Sequence, residues 1–394
     1  MKIRLFTACA LFCVISSPHL LHGEELSGYI MVEGSLFPQS PLYSEQKRND
    51  LSIAIEPEYY HEFENGSSFT FTPFFRADSA DSERSHFDVR EMSYLWVNDY
   101  VELQAGISKV FWGATEFVHL VDIINQTDTV ESPNMEKKLG QPMVHLSVPS
   151  QWGVFEFFVL PYFRERTFPG KNGRLRGEFP VAADNAAYES SGKEHHIDYA
   201  ARYSHTIGDV DLGISRFDGT GRDPSFYFSG DKLLPVYEQI SQTSLDLQFV
   251  AGEWLFKLEA LHRAGMGNKN YYAATGGFEF TFIGVGESSV DLGILAEYAF
   301  DEREKSVASP YDNDIMLGFR LTMNDADSSD LLAGLVHDID SSSEIFLLEG
   351  SRRLSDNVKA SIELWSFINE SVKDPAFYLM RNDDFVKAEI YYYF

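Results

Sequence analysis

The residues best placed to do chemistry are acids and bases set at every second position of runs that alternate polar and apolar side chains. Leu51-Ser52-Ile53-Ala54-Ile55-Glu56 and Val290-Asp291-Leu292-Gly293-Ile294 are two such runs. A period of two sends successive side chains to opposite faces of a strand, so each polar row belongs to one face. Glu56, Glu58, Glu102, Glu259 and Glu297 lie on these rows, together with Arg76, Arg90, Arg202, Arg263 and Arg320. Gathered around a common interior, these groups would sort solutes by charge. Acids outnumber bases on the rows, which favours cations or neutral solutes over anions. Drying so many ions would be costly, so the pattern predicts water among them.

A second constellation runs from Val110-Phe111-Trp112-Gly113-Ala114-Thr115-Glu116-Phe117 through Asp122-Ile123-Ile124-Asn125-Gln126 to Lys137-Lys138-Leu139-Gly140. Ala114, Phe117, Val121 and Ile124 recur at near-helical spacing, which predicts a short amphipathic helix. Apolar side chains on an exposed loop are unfavourable. The segment is therefore expected to fold inward and narrow the interior, with Trp112, Glu116, Asp122 and Asp128 at the constriction. A helix lying over the outer rim is the alternative.

The remaining candidates for chemistry are weaker. His145 and Ser147 sit two apart, as in a hydrolytic His and Ser pair, but they share the inward row and no third orienting residue is evident. Adjacent histidines such as His195 and His196 point to opposite faces of a strand and chelate poorly. The acidic segments Asp78-Ser79-Ala80-Asp81 and Asp325-Ala326-Asp327 lack the ligand spacing of a calcium loop. Without a Gly-rich phosphate cradle or a zinc-protease helix, the reading is no enzyme, no cofactor and no metal site.

These side chains need strands to position them. The chain reads as an all-β, antiparallel transmembrane β-barrel of about 18 strands, with 16 possible if one strand has been divided wrongly. Most runs reach the roughly 9 to 11 residues that a tilted strand needs to cross a bilayer. Two of the longer ones are expected over 100–112 and 152–164. Connections alternate between tight turns such as Glu64-Asn65-Gly66 and longer polar loops, notably extracellular loops 113–141 and 165–194. Four tryptophans, Trp96, Trp112, Trp152 and Trp254, fall near strand ends, with Trp365 not far from one, as an interfacial girdle would place them. By parity Trp112 could instead face inward.

Lys2 and Arg4, the apolar stretch after them and Gly23 have the order of a signal peptide over residues 1–23, leaving a single barrel over 24–394. Both cysteines, Cys9 and Cys13, fall inside that signal, so no disulfide supports the barrel. Sixty acidic and 32 basic residues give a formal charge of -28, which excludes a protein that tracks nucleic-acid phosphates.

The chain end sets Val386, Ala388, Ile390, Tyr392 and Phe394 on one row. It resembles the terminal strand of bacterial outer-membrane barrels, in which a final Phe is read by the barrel assembly machinery. The Trp112-Gly113 segment with its Asp-x-x-Asn loop is similar to a stretch in uncharacterised porin-like barrels of Gram-negative bacteria. This resemblance implies an outer-membrane location, contact with lipid and lipopolysaccharide, and a possible homo-trimer. It also implies passive diffusion of a small-molecule solute through a porin-like channel. The alternative is a surface-binding or structural barrel without an open pore. Such a barrel would hold polysaccharide or a partner through loops 165–194 and 220–235, whose Arg, Phe and Tyr residues suit sugar stacking.

Overall fold

Backbone groups that leave water need partners, and in hydrocarbon an open sheet edge leaves a whole row of them unpaired. The computed structural model, which describes residues 23–132, 134–303 and 311–394, has no such edge: eighteen antiparallel strands close into one barrel. The expected signal segment lies outside the described residues apart from Gly23. In chain order the first strands are β1 (Glu24–Leu36), β2 (Asn49–Glu62), β3 (Ser68–Asp78), β4 (Phe87–Val97), β5 (Glu102–Ser108), β6 (Gln141–Ser150) and β7 (Gly153–Leu160). A two-residue β8 (Ala187–Tyr188) precedes β9 (Asp198–Ile207), β10 (Val210–Thr220), β11 (Ser225–Ser229) and β12 (Lys232–Tyr237). Then follow β13 (Gln239–Ala251), β14 (Trp254–Ala264), β15 (Asn270–Phe282), β16 (Asp291–Asp301) and β17 (Asn313–Thr322). The last are β18 (Asp330–Asp338), β19 (Glu344–Ser355), β20 (Val358–Ile368) and β21 (Phe385–Tyr393).

All but β8, β11 and β12 belong to the barrel. The ring closes where β1 meets β21, with Tyr29 opposite Tyr393 and Leu36 opposite Val386. The Phe394 N–H donates to the Gly28 carbonyl at 3.0 Å, adding one rung beyond the last paired residues. Sixteen strands are thereby excluded.

Alternation sorts the two faces. On β2, Leu51, Ile53 and Ile55 are exposed on the outer wall, whereas Ser52 and Ala54 between them are buried. On β16, Tyr298 and Phe300 point out while Leu295, Glu297 and Ala299 point in. A closed sheet with an apolar skin and a polar interior is the arrangement that a bilayer stabilises. The termini of the ring and the tight turns share one rim; the long loops leave from the other.

Three expectations need correction. First, β5 stops at Ser108 and β7 at Leu160, each four residues short of the range read from the pattern. After Ser108 the chain turns into the barrel, because the Asn125 side chain ties both ends of the following loop: it accepts from Val110 N at 2.8 Å and donates to the carbonyls of Ser108 and Leu139, both at 2.9 Å. Second, loops 165–194 and 220–235, read only as long polar connections, carry strands of their own. They build a small sheet in which β11 pairs antiparallel and β8 parallel with β12. The loop before β21 likewise holds a short helix, α1 (Pro375–Leu379), capped by the Asp374 carboxylate. Third, Trp96, Trp152 and Trp254 are exposed as girdle residues, but Trp112 and Trp365 are buried inside. Trp112 packs edge-on against Phe158 at 5.6 Å, and Trp365 stacks on Phe385.

The outer skin gives a direct test. Leu317 on β17 is exposed between the outward Ile315 and Phe319. Leu317→Arg is expected to cost about 2 to 4 kcal/mol in reversible unfolding from lipid vesicles. A neutral result would mean that this face does not meet hydrocarbon.

Candidate functional site

The long segment between β5 and β6 crosses the interior and is held there by the opposite wall. Two inward carboxylates do most of this. Glu259 on β14, fully buried, accepts from the backbone N–H groups of Ala114 at 2.7 Å, Thr115 at 3.1 Å and Val121 at 3.1 Å, and from the Thr115 hydroxyl at 2.8 Å. Glu297 on β16 accepts from Glu116 N at 2.8 Å and Phe117 N at 3.2 Å. Five amides are thus taken by side chains of the wall. The expected helix over this segment is absent: the Val121 N–H, which a helix would bond to the Phe117 carbonyl, goes to Glu259 instead, and Ala114 to Ile124 form no helix.

The motif residues complete the fastening. Asp122 pairs with Lys138 at 3.0 Å and accepts from Trp112 N at 3.4 Å. Burial pushes the Asp122 carboxyl upward, and Lys138 only partly offsets it. Glu116 reaches Arg320 at 2.7 Å and Lys257 at 3.3 Å. Burial works to raise its pKa, but those two cations outweigh it and hold the carboxyl below the usual range. Asp128 pairs with Arg90 at 2.7 Å and accepts from the Thr167 hydroxyl at 2.7 Å. Gly113 lets the chain pass close to the wall: its φ is +153°, and an added Cβ would lie 3.0 Å from Glu259 Oε1. All four constriction candidates, Trp112, Glu116, Asp122 and Asp128, therefore sit inside the ring.

The row residues divide by height. Toward the long-loop end, Arg76 joins Glu33 at 3.0 Å and Glu131 at 2.7 Å, and Arg263 donates to Gln242 at 2.8 Å. Midway, Arg202 holds Asp246 through two bonds of 2.7 Å and lies over the Trp112 ring. Near the tight-turn rim, Glu58 and Glu102 are exposed and Glu56 is half-buried. Water is thus expected around the acids of the tight-turn half, whereas the charges of the long-loop half are buried and paired.

Some arrangements lay beyond sequence reasoning. Glu131 anchors the segment to Arg76 on the wall, and no motif marks that pairing. His145 stacks on Phe158 and meets Glu156 at 3.0 Å, a third group the sequence did not reveal; among the described residues no hydrogen bond joins Ser147 to that histidine. Asp312, Asp314 and Asp338 are all buried, with carboxylate oxygens within 4.8 Å of one another, close enough to share a cation. Asp338 Oδ1 already accepts from the amides of Asp340 and Ser341. Alternating charge along β17 and β18 gave no signal for this cluster, because it forms only when the strands pair with Asp314 opposite Asp338.

No protein-family model matches the chain, and no curated protein matches it by sequence. Among solved structures, the chain is similar to Wzi of Escherichia coli, described as an outer-membrane protein involved in group 1 capsule assembly and a carbohydrate-binding β-barrel. The identity is 12%, the TM-score 0.51, and the match covers 92% of this chain and 83% of Wzi. A triple mutant of the Rh. blastica porin matches with 12% identity and a TM-score of 0.45 over 94% of this chain and all of the porin. A structure described under asymmetric conductivity of engineered proteins matches with 11% identity and a TM-score of 0.46 over the same shares. At these identities the likeness to Wzi speaks to the fold alone, and the two weaker ones add nothing to it.

Plug seating is open to measurement. Glu259→Ala leaves three amides without an acceptor, those of Thr115 and Val121 buried, at about 1 to 3 kcal/mol for each buried one. Hydrogen exchange at Ala114, Thr115 and Val121 is expected to quicken by roughly tenfold or more; unchanged exchange would show that the carboxylate does not hold the loop.

A pH effect follows from His119, whose Nδ1 lies 4.0 Å from Glu259, an ion-pair distance too long for a hydrogen bond. Burial works to lower the His119 pKa, but Glu259 outweighs it and the net shift is upward. The stabilisation is therefore complete below the unfolded histidine value and is lost as pH rises through the folded one. The same amides should loosen over that interval beyond the intrinsic rise in exchange, and His119→Gln should abolish the difference.

Proposed function

We propose that the protein is a bacterial outer-membrane barrel, closed by its own loop, that works at its outer surface by holding carbohydrate. The observation that carries this reading is the seating of the β5 to β6 segment, whose backbone amides are taken up by Glu259 and Glu297 across the ring. An open diffusion pore would leave its lining charges in water. Here Arg76, Arg90, Glu259 and Arg263 are buried and partnered.

The surface above the plug supports the second half of the proposal. The β11 to β12 hairpin carries Tyr227 and Phe228 into solvent, the latter 73% exposed, with Phe179 edge-on to Phe228 at 5.2 Å. Aromatic faces beside polar groups are what a sugar ring stacks on. Wzi, whose fold this chain shares in outline, is described as a carbohydrate-binding barrel. In this reading the apolar outer row meets lipid and lipopolysaccharide, and Phe394 is offered to the assembly machinery.

A second reading, passive diffusion of small cationic or neutral solutes, is favoured by Glu58 and Glu102 in the open tight-turn half. It requires the plug to leave.

Planar bilayers separate the two. The intact protein is expected to show no steady conductance, and deletion of residues 116–136 should open a cation-preferring one. Binding of the intact protein to surface polysaccharide, with Phe228→Ala weakening it about three- to tenfold, should accompany closure. Steady conductance in the intact protein, with no retention of polysaccharide, would overturn the proposal.

A further inference from the structure

Two cavities lie among the loops at the long-loop end, and their charges differ. One, of about 660 Å³ including its open side, is lined among the described residues by four cations and four carboxylates: Arg84, Arg174, Lys47 and Lys387 against Glu33, Asp50, Asp81 and Glu131. It is balanced. The other, of about 950 Å³ including its open side, lies between the plug and the wall formed by β14, β15 and β16. Its described lining has five cations, Lys138, Arg166, Arg222, Arg263 and Arg303, but three carboxylates, Asp122, Asp223 and Asp301. Arg222 is paired behind the lining with Asp198 at 3.1 Å, which leaves an excess of one positive charge, where Arg166 and Arg263 share Asp223, in a chain of formal charge -28. Gathering guanidiniums against that background costs repulsion, which an anionic occupant would relieve.

The grip on an occupant is already displayed. Asp223, on the loop after β10, is held with one oxygen on Arg166 Nη2 at 2.8 Å and the other on Arg263 Nη1 at 2.9 Å. Its side chain remains 29% exposed toward the opening. Arg166 Nη1 and Arg263 Nη2 donate to no acceptor among the described residues, so both guanidiniums keep an N–H free for a second carboxylate. Arg303 is fixed beside them, paired with Asp301 and lying 4.3 Å above the Tyr271 ring. Planar guanidiniums match carboxylate geometry better than ammonium groups do. The rings of Phe117 and Tyr311 add aromatic wall.

We infer that this cavity binds a uronate residue, the carboxylated sugar unit of an acidic polysaccharide, through Arg166, Arg263 and Arg303. The inference rests on the carbohydrate-holding function proposed above and narrows it to acidic sugars. The ligand carboxylate sits beside Asp223 on the same guanidiniums, and the pyranose ring lies against the aromatic wall.

Calorimetry on the full-length barrel in detergent, with trigalacturonate and neutral maltotriose as probes, tests it. Trigalacturonate is expected to bind, more weakly as salt rises, and maltotriose not to bind. Arg166→Gln should weaken trigalacturonate by about tenfold or more, while Lys47→Gln in the balanced cavity should leave it unchanged. Equal binding of both probes would overturn the acidic-sugar assignment and leave the surface-binding function standing. Binding of neither would also overturn it, and retention of whole surface polysaccharide would then decide the broader reading separately. Heat-modifiable gel migration shows whether Arg166→Gln folds. If it does not, the wild-type salt series decides, and salt-insensitive binding counts against the inference.

Discussion

A backbone N–H taken out of water must find an acceptor, and this protein meets that demand in two ways. In the wall the strands pair all the way round, from β1 to its seam with β21. In the interior, where an irregular segment crosses with no strand beside it, the wall supplies carboxylates. Glu259 and Glu297 act as acceptors for a stretch of chain that has no secondary structure of its own. At Val121, Glu259 thereby takes the amide that a helical carbonyl would otherwise accept from. The ring gives those carboxylates fixed positions, and their positions in turn set the path of the plug.

The electrostatics follow from that path. Once the segment enters, the charges it meets lose water and need partners of opposite sign, since an unpaired buried ion costs far more than a paired one gains. Arg76 with Glu33 and Glu131, Arg90 with Asp128, and Arg320 with Glu116 are the resulting pairs. Toward the tight-turn rim the segment does not reach, and Glu58 and Glu102 stay in water. The interior is thus divided into a half whose charges are largely buried and paired and a half whose acids stay exposed.

The two rims serve different ends. Tight turns at one rim hold strands in register with little chain to spare. At the other, the long loops add a second layer, in which β8, β11 and β12 form a sheet and α1 caps the segment before β21. This layer and the plug together create the cation-rich cavity, which no single segment contains. Arg166, Arg263 and Arg303 come from a loop, a strand and a strand end, and they meet because the barrel curves.

Much of the barrel was legible in the sequence because its cause is local. Side chains alternate with a period of two, as at Leu51 to Glu56, and a membrane-facing wall demands that the alternation persist for the length of each strand. The approximate strand number and the inward rows follow from that short-range rule, while the inward fold of the Trp112 segment followed from apolar side chains too costly to leave exposed. Its limits are equally physical. Near-helical spacing at Ala114, Phe117, Val121 and Ile124 suggested a helix, but the competing acceptors Glu259 and Glu297 lie well over a hundred residues away. The Asn125 clamp shortened β5 through bonds within its own loop, to Val110 and Ser108, that no strand period reveals. Periodicity therefore determined which face each side chain takes. Only the closed ring decided which side chains meet across it, because those contacts join residues that adjacency along the chain says nothing about.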